Sequence, residues 1–216
     1  PKSAKDYVSL LRSKKVILDS KERKNIIWTS ANKLVEKTNL CILKDDDLLG
    51  EIAGLVEWPV VMIGNIDKEF LTLPAEILQV SMREHQKFFS VLSTEKRKII
   101  KFIVVSNLEA TDNGRLVLEG NARVLRSRLR DANFFYEKDL ADIENKKFSG
   151  LNTRLENVTF HNKIGSQADR VSAIRKISIR IANLLKTDPQ LCDQAAELCK
   201  TDLTTKVVSE FPELQG

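Results

Sequence analysis

The stretch GNARVLRSRLRDANFFYEKDL, residues 120–140, sets the reading of the whole chain. Asn121 suits a helix N-cap, and the residues after it repeat with helical spacing. Ala122, Leu125, Leu129, Ala132 and Tyr136 fall within roughly 80° of one another at about 100° per residue, which predicts one buried face. Arg123, Arg126 and Arg130 fall beside that face, within roughly 60° by the same count. Arg128 projects elsewhere, near Val124 and Phe135. Guanidiniums stay charged at physiological pH and fork onto phosphate oxygens. The row therefore has two readings. Either it tracks a nucleic-acid backbone, or it pairs with Glu119, Asp131, Glu137 and Asp139 on a solvated face.

Toward the N-terminus the period changes. Asn113-Gly114 is the strongest turn dipeptide in the chain. Before it, residues 58–64, 88–92 and 99–105 are short apolar runs that read as strands, the last two joined by a charged turn at 93–98. Pro74 sits where a first-turn proline belongs, and residues 75–84 continue as a helix. Asp45-Asp46-Asp47 precedes a helix over 48–56, where acid at the N-terminal end suits the macrodipole. A calcium loop is the competing reading, but no glycine turn or closing glutamate follows at EF-hand spacing, so capping is preferred. Asp19 and Glu22 fit a capping box for a helix reaching about Lys37, with Asn39 as its stop. Residues 3–13 read as a short first helix.

Toward the C-terminus there is little strand signal. The chain reads as helices broken at 142–149, at 162–166 and at Thr187-Asp188-Pro189. The expected class is α+β. It comprises a helical segment over 1–44, a mixed α/β part over 45–150, and an all-helical part over 151–216.

Composition narrows the function classes. In 216 residues, 42% are hydrophobic and 30% charged, as in an ordinary soluble protein. No apolar run approaches the ~18 residues of a membrane span, so no membrane partner is expected. The start shows none of the regions of a secretory signal. Pro1 stands without an initiator methionine, and Gly216 ends the chain directly after a predicted helix. Both predict a piece cut from a longer protein. Lys and Arg total 35 against 30 Asp and Glu, giving net charge +5, which permits nucleic-acid binding without demanding it. Cys41, Cys192 and Cys199 form no CxxC, and the simple reading is a reduced, cytoplasmic compartment. Two histidines make a structural zinc site a poor expectation.

A second candidate site is SMREHQKFF, residues 81–89, where Arg83, His85, Gln86 and Lys87 gather beside two phenylalanines. Cations neutralise phosphate and aromatics stack on bases, so the group suits a nucleotide. No nucleophile with a positioned partner accompanies His85, and no catalytic residue is assigned. GxGxxG and GxxxxGK[ST] are absent, so a phosphate loop is not supported. His161, Asp169, Asp188, Asp193 and Asp202 are conceivable metal ligands, but the adjacent His-Asp pair of dinuclear helical hydrolases is missing. No metal is assigned.

Several longer phrases carry a resemblance. LVEWPVVMIGNID (55–67), FLTLPAEILQVSMREHQKFF (70–89), FIVVSN (102–107), GNARVLRSRLRDANFFYEKDL (120–140), FHNKIGS (160–166) and KTDLTTKVVSEFPELQG (200–216) resemble, in order, the beta subunit of the bacterial two-subunit glycyl-tRNA synthetase. The match covers about residues 48–216. It departs from the family in small ways, such as Ala122 where a charged residue is common and His161 where glutamine is common.

The resemblance implies a fragment that is non-catalytic by itself. In the family the alpha subunit activates glycine with ATP and Mg, while the beta subunit binds and positions tRNA(Gly), in an alpha2beta2 tetramer containing a second beta subunit. It further implies a B3/B4-like first part and an HD-like second part. Cys199-Lys-Thr-Asp202 stands where an active HD hydrolase would carry His-Asp. The implied roles are tRNA contact by Arg123, Arg126 and Arg130, with Arg83 and Lys87, or a structural arginine network. The competing functions are a structural module that assembles with the alpha subunit without touching RNA, and a degenerate HD-type phosphohydrolase.

Overall fold

Side-chain caps start most of the longer helices. A computed structural model describes residue 3, residues 6–95 and residues 97–216, except for the side chains of 146, 147 and 149. Residues 4 and 5 of the first expected helix, and residue 96 of the charged turn, lie outside the described residues. The chain forms two compact units, Pro1–Asp131 and Ala132–Gly216.

In the first unit, α1 covers Tyr7–Ser13 and α2 covers Ser20–Val35. Asp19 caps α2 by accepting from the Lys21 N–H, but Glu22 does not complete a capping box. It pairs instead with Arg12 of α1 at 2.7 Å. β1 (Leu40–Ile42) follows, a strand too short for the sequence to signal. Then come α3 (Asp46–Leu55), β2 (Val60–Asn65), α4 (Ala75–Gln86), β3 (Phe89–Ser93) and β4 (Lys98–Ser106). The four strands make one antiparallel sheet in the order β1-β3-β4-β2.

Side chains alternate across a strand. Phe89, Val91 and Ile103 therefore enter one core with Ile27 and Ala31 of α2 and Ile52 and Ala53 of α3. Phe102 points to the opposite face and stacks on Phe88, with ring centroids 5.0 Å apart. Across the ladder from Phe102 lies Gly64, and a Cβ there would stand 2.3 Å from that ring. Only a glycine lets the backbone pass so close.

α5 covers Arg115–Asn152 and contributes to both units. It departs from the sequence reading at both ends. Asn121 is not its cap: the helix starts six residues earlier, after the Asn113-Gly114 turn, where both residues have positive φ. Asp112 does the capping, accepting from the Gly114 and Leu116 N–H groups at 3.0 and 2.9 Å. The Leu116 N–H holds the Asp112 carboxyl below its usual range. The helix also runs unbroken through 142–149. That segment is polar but contains no proline, and polarity by itself does not end a helix.

The second unit adds β5 (Thr159–His161) and β6 (Gly165–Ser166), a small antiparallel pair, then α6 (Gln167–Leu185), α7 (Pro189–Leu198) and α8 (Lys206–Glu210). Ser166 and Asp169 form a reciprocal capping box on α6. Asp188 caps α7, with Pro189 in its first turn. Leu151, Leu155, Val171, Ala182, Ala196 and Phe211 are buried. No helix of the described residues is long and apolar enough to cross a membrane.

Candidate nucleic-acid interface

The arginine row lies on residues 115–131 of α5. Leu125, Leu129 and Ala132 are buried, as the spacing predicts, and Arg123 and Arg130 are exposed beside them. The carboxylates that meet the row are not the ones nearest in sequence. Arg126 donates from Nε to Asp67 at 2.5 Å and from Nη2 to the other oxygen at 3.5 Å. That hydrogen bond raises the guanidinium's pKa further. Arg130 reaches Glu69 only at 4.0 Å. Arg123 forms no ion pair with a described residue.

Glu119 pairs with Arg115, and Glu137 accepts from Asn133. Asp139, expected among the arginines, is buried and faces α8. It accepts from the Lys206 and Val207 N–H groups at 2.8 Å each. No sequence signal links position 139 to 206, because the contact crosses 67 residues.

The second candidate group is engaged differently. Arg83 donates from Nε to Asp45 at 2.6 Å and pairs with its neighbour Glu84. Asp45 uses its other oxygen to cap α3 through the Leu48 N–H at 2.8 Å. Burial pushes the Asp45 carboxyl up, but the Leu48 N–H and the Arg83 guanidinium outweigh it and hold the group below its ordinary value. Lys87 ends α4 in the left-handed conformation and pairs with Glu51 of α3 at 3.0 Å. Arg83 and Lys87 thus tie α4 to α3. His85 is exposed in the last turn of α4, and Gln86 is half-buried.

The conceivable metal ligands have separate structural tasks. His161 Nδ1 accepts from the Lys163 N–H, Asp169 completes the α6 box, and Asp188 caps α7. Asp193 takes a forked pair of bonds from Arg175 at 2.6 and 2.7 Å, which holds its carboxyl below the usual range. Asp202 accepts from the Gly216 N–H. Among the described residues, no group of three or more His, Cys, Asp or Glu side chains is placed to hold a metal.

The family model described as glycyl-tRNA synthetase beta subunit matches residues 2–216. The chain belongs to this family. Curated relatives named glycine–tRNA ligase beta subunit agree. That of Ruegeria sp. (strain TM1040) is 49% identical over 212 residues, 98% of this chain and 31% of the relative. The Dinoroseobacter shibae protein is 49% identical over 211 residues, 98% of this chain and 29% of the relative. The Rhodospirillum centenum protein is 44% identical over 220 residues, 99% of this chain and 30% of the relative. The chain thus spans under a third of the length of these relatives. The arginine row lies within the residues that the family model matches.

Proposed function

We propose that this chain is part of a glycine–tRNA ligase beta subunit and helps bind and position tRNA(Gly). ATP-dependent glycylation would take place on the alpha subunit, which would hold ATP and Mg, in a cytoplasmic alpha2beta2 assembly. The observation that carries the reading is the state of the arginine row. Arg123 is exposed with no carboxylate partner among the described residues. Arg126 and Arg130 follow it along the same edge: Arg130 has only a long, exposed contact with Glu69, weak enough for a phosphate to replace, while Arg126 sits in a half-buried pair with Asp67. Asp67 would orient Arg126 while leaving its Nη1 for a second acceptor.

Arg83 and Lys87 are poorer candidates, because a phosphate would compete there with the carboxylates that join α3 to α4. The Arg126–Asp67 contact favours one alternative, in which the row secures α5 and the chain serves assembly alone. A pull-down separates the two. Immobilised chain should retain tRNA(Gly) in the absence of alpha subunit. Retention of alpha subunit but never of tRNA would favour the assembly role.

A further inference from the structure

α6 carries two apolar faces, and the unit uses only one. Val171 and Ala182 are buried toward the unit's interior. Ile177, Ile181, Leu184 and Leu185 lie on a separate arc of roughly 100°. They are 57, 49, 82 and 69% exposed. Spacing of i, i+4, i+7 and i+8 is the pattern of a face that packs against another element. A continuous aliphatic stripe of this kind marks an interaction surface on a soluble protein. Lys176 and Arg180, both exposed, border it along one side.

We propose that this stripe docks an amphipathic helix from another part of the same beta-subunit polypeptide, one with acidic residues beside its apolar seam. The proposal rests on family membership and not on RNA binding. Relatives extend to more than three times the matched length, so most of the family polypeptide lies outside the segment described by residues 1–216. Charge argues against an antiparallel second copy as the occupant. Antiparallel two-fold pairing of α6 with itself would set Lys176 and Arg180 of both copies along the same edge, and like charges there repel. An acidic flank on the occupant would complement them instead.

The test uses the complete beta-subunit polypeptide with p-benzoyl-phenylalanine replacing Leu184. Irradiation followed by peptide mapping should join position 184 to a segment of the same polypeptide outside residues 1–216, and that segment should be apolar with an acidic border. Cross-links to a second copy, to the alpha subunit or to residues 1–131 would each overturn the proposal, as would irradiation without a protein adduct. In parallel, Leu184→Asp should lower the melting temperature of the complete subunit and leave that of the 216-residue chain unchanged. Equal effects on both, or an effect on neither, would also overturn it.

Discussion

Asp45 accepts from the Leu48 N–H at the start of α3 and from the Arg83 guanidinium on α4, so one carboxylate serves a cap and an inter-helix pair. Its folded pKa is depressed, and a depressed carboxyl contributes stability above its unfolded value. That contribution is lost as pH falls through the folded value. Asn also caps helices well, so Asp45→Asn should keep the cap and lose the charge on which Arg83 rests. The variant should melt below wild type at pH 7. In thermal melts across pH, the gap should close as pH drops below the ordinary value of 3.8. Asp139 also serves two partners, satisfying two N–H groups at the start of α8 from a buried position. Asp139→Ala leaves both unpaired and should cost roughly 2 kcal/mol in urea unfolding. A loss near zero would mean that water replaces the carboxylate.

Element boundaries separate what the sequence shows from what it hides. The strands β2, β3 and β4 and the helix α4 are legible, because apolar runs, Pro74 and the turn residues all signal within a few positions of their effect. The buried stripe of α5 is legible for the same reason: Leu125, Leu129 and Ala132 repeat at helical spacing. The start of α5 is harder to read, since Asp112 and Asn121 are both good caps and only the turn at Gly114 selects the first. Its passage through 142–149 is hidden by polarity. β1 is three residues long and is held by pairing with β3, a partner about fifty residues away. The arginine partner Asp67 lies still farther away, 59 residues before Arg126. Close packing at Gly64 also depends on such a distant residue. Gly64→Ala would drive a methyl into the Phe102 ring and should destabilise the chain by roughly 1–3 kcal/mol. Phe102→Leu in the same background should recover part of that loss, which equilibrium unfolding of the pair would check.

For the whole molecule, chain identity and site chemistry rest on different observations. The family follows from a match along nearly the full chain. The proposed RNA-facing role rests on three guanidiniums on one helix, of which one has no carboxylate among the described residues and one is 4.0 Å from its partner. Among the described residues, the candidate carboxylates elsewhere are taken up by helix caps, backbone N–H groups and arginines. The isolated chain should therefore show no glycine-dependent ATP exchange, and measurable exchange would place an activation site on it.

The most direct measurement is a salt titration of tRNA(Gly) binding by the wild-type chain and by an Arg123→Ala/Arg126→Ala/Arg130→Ala variant, with folding checked by thermal melting. Each lost phosphate contact flattens the plot of log K against log salt by somewhat less than one unit. The account predicts a variant that still folds cooperatively and whose slope is flatter by about two units. An unchanged slope in a folded variant, or no wild-type binding even at low salt, would contradict it.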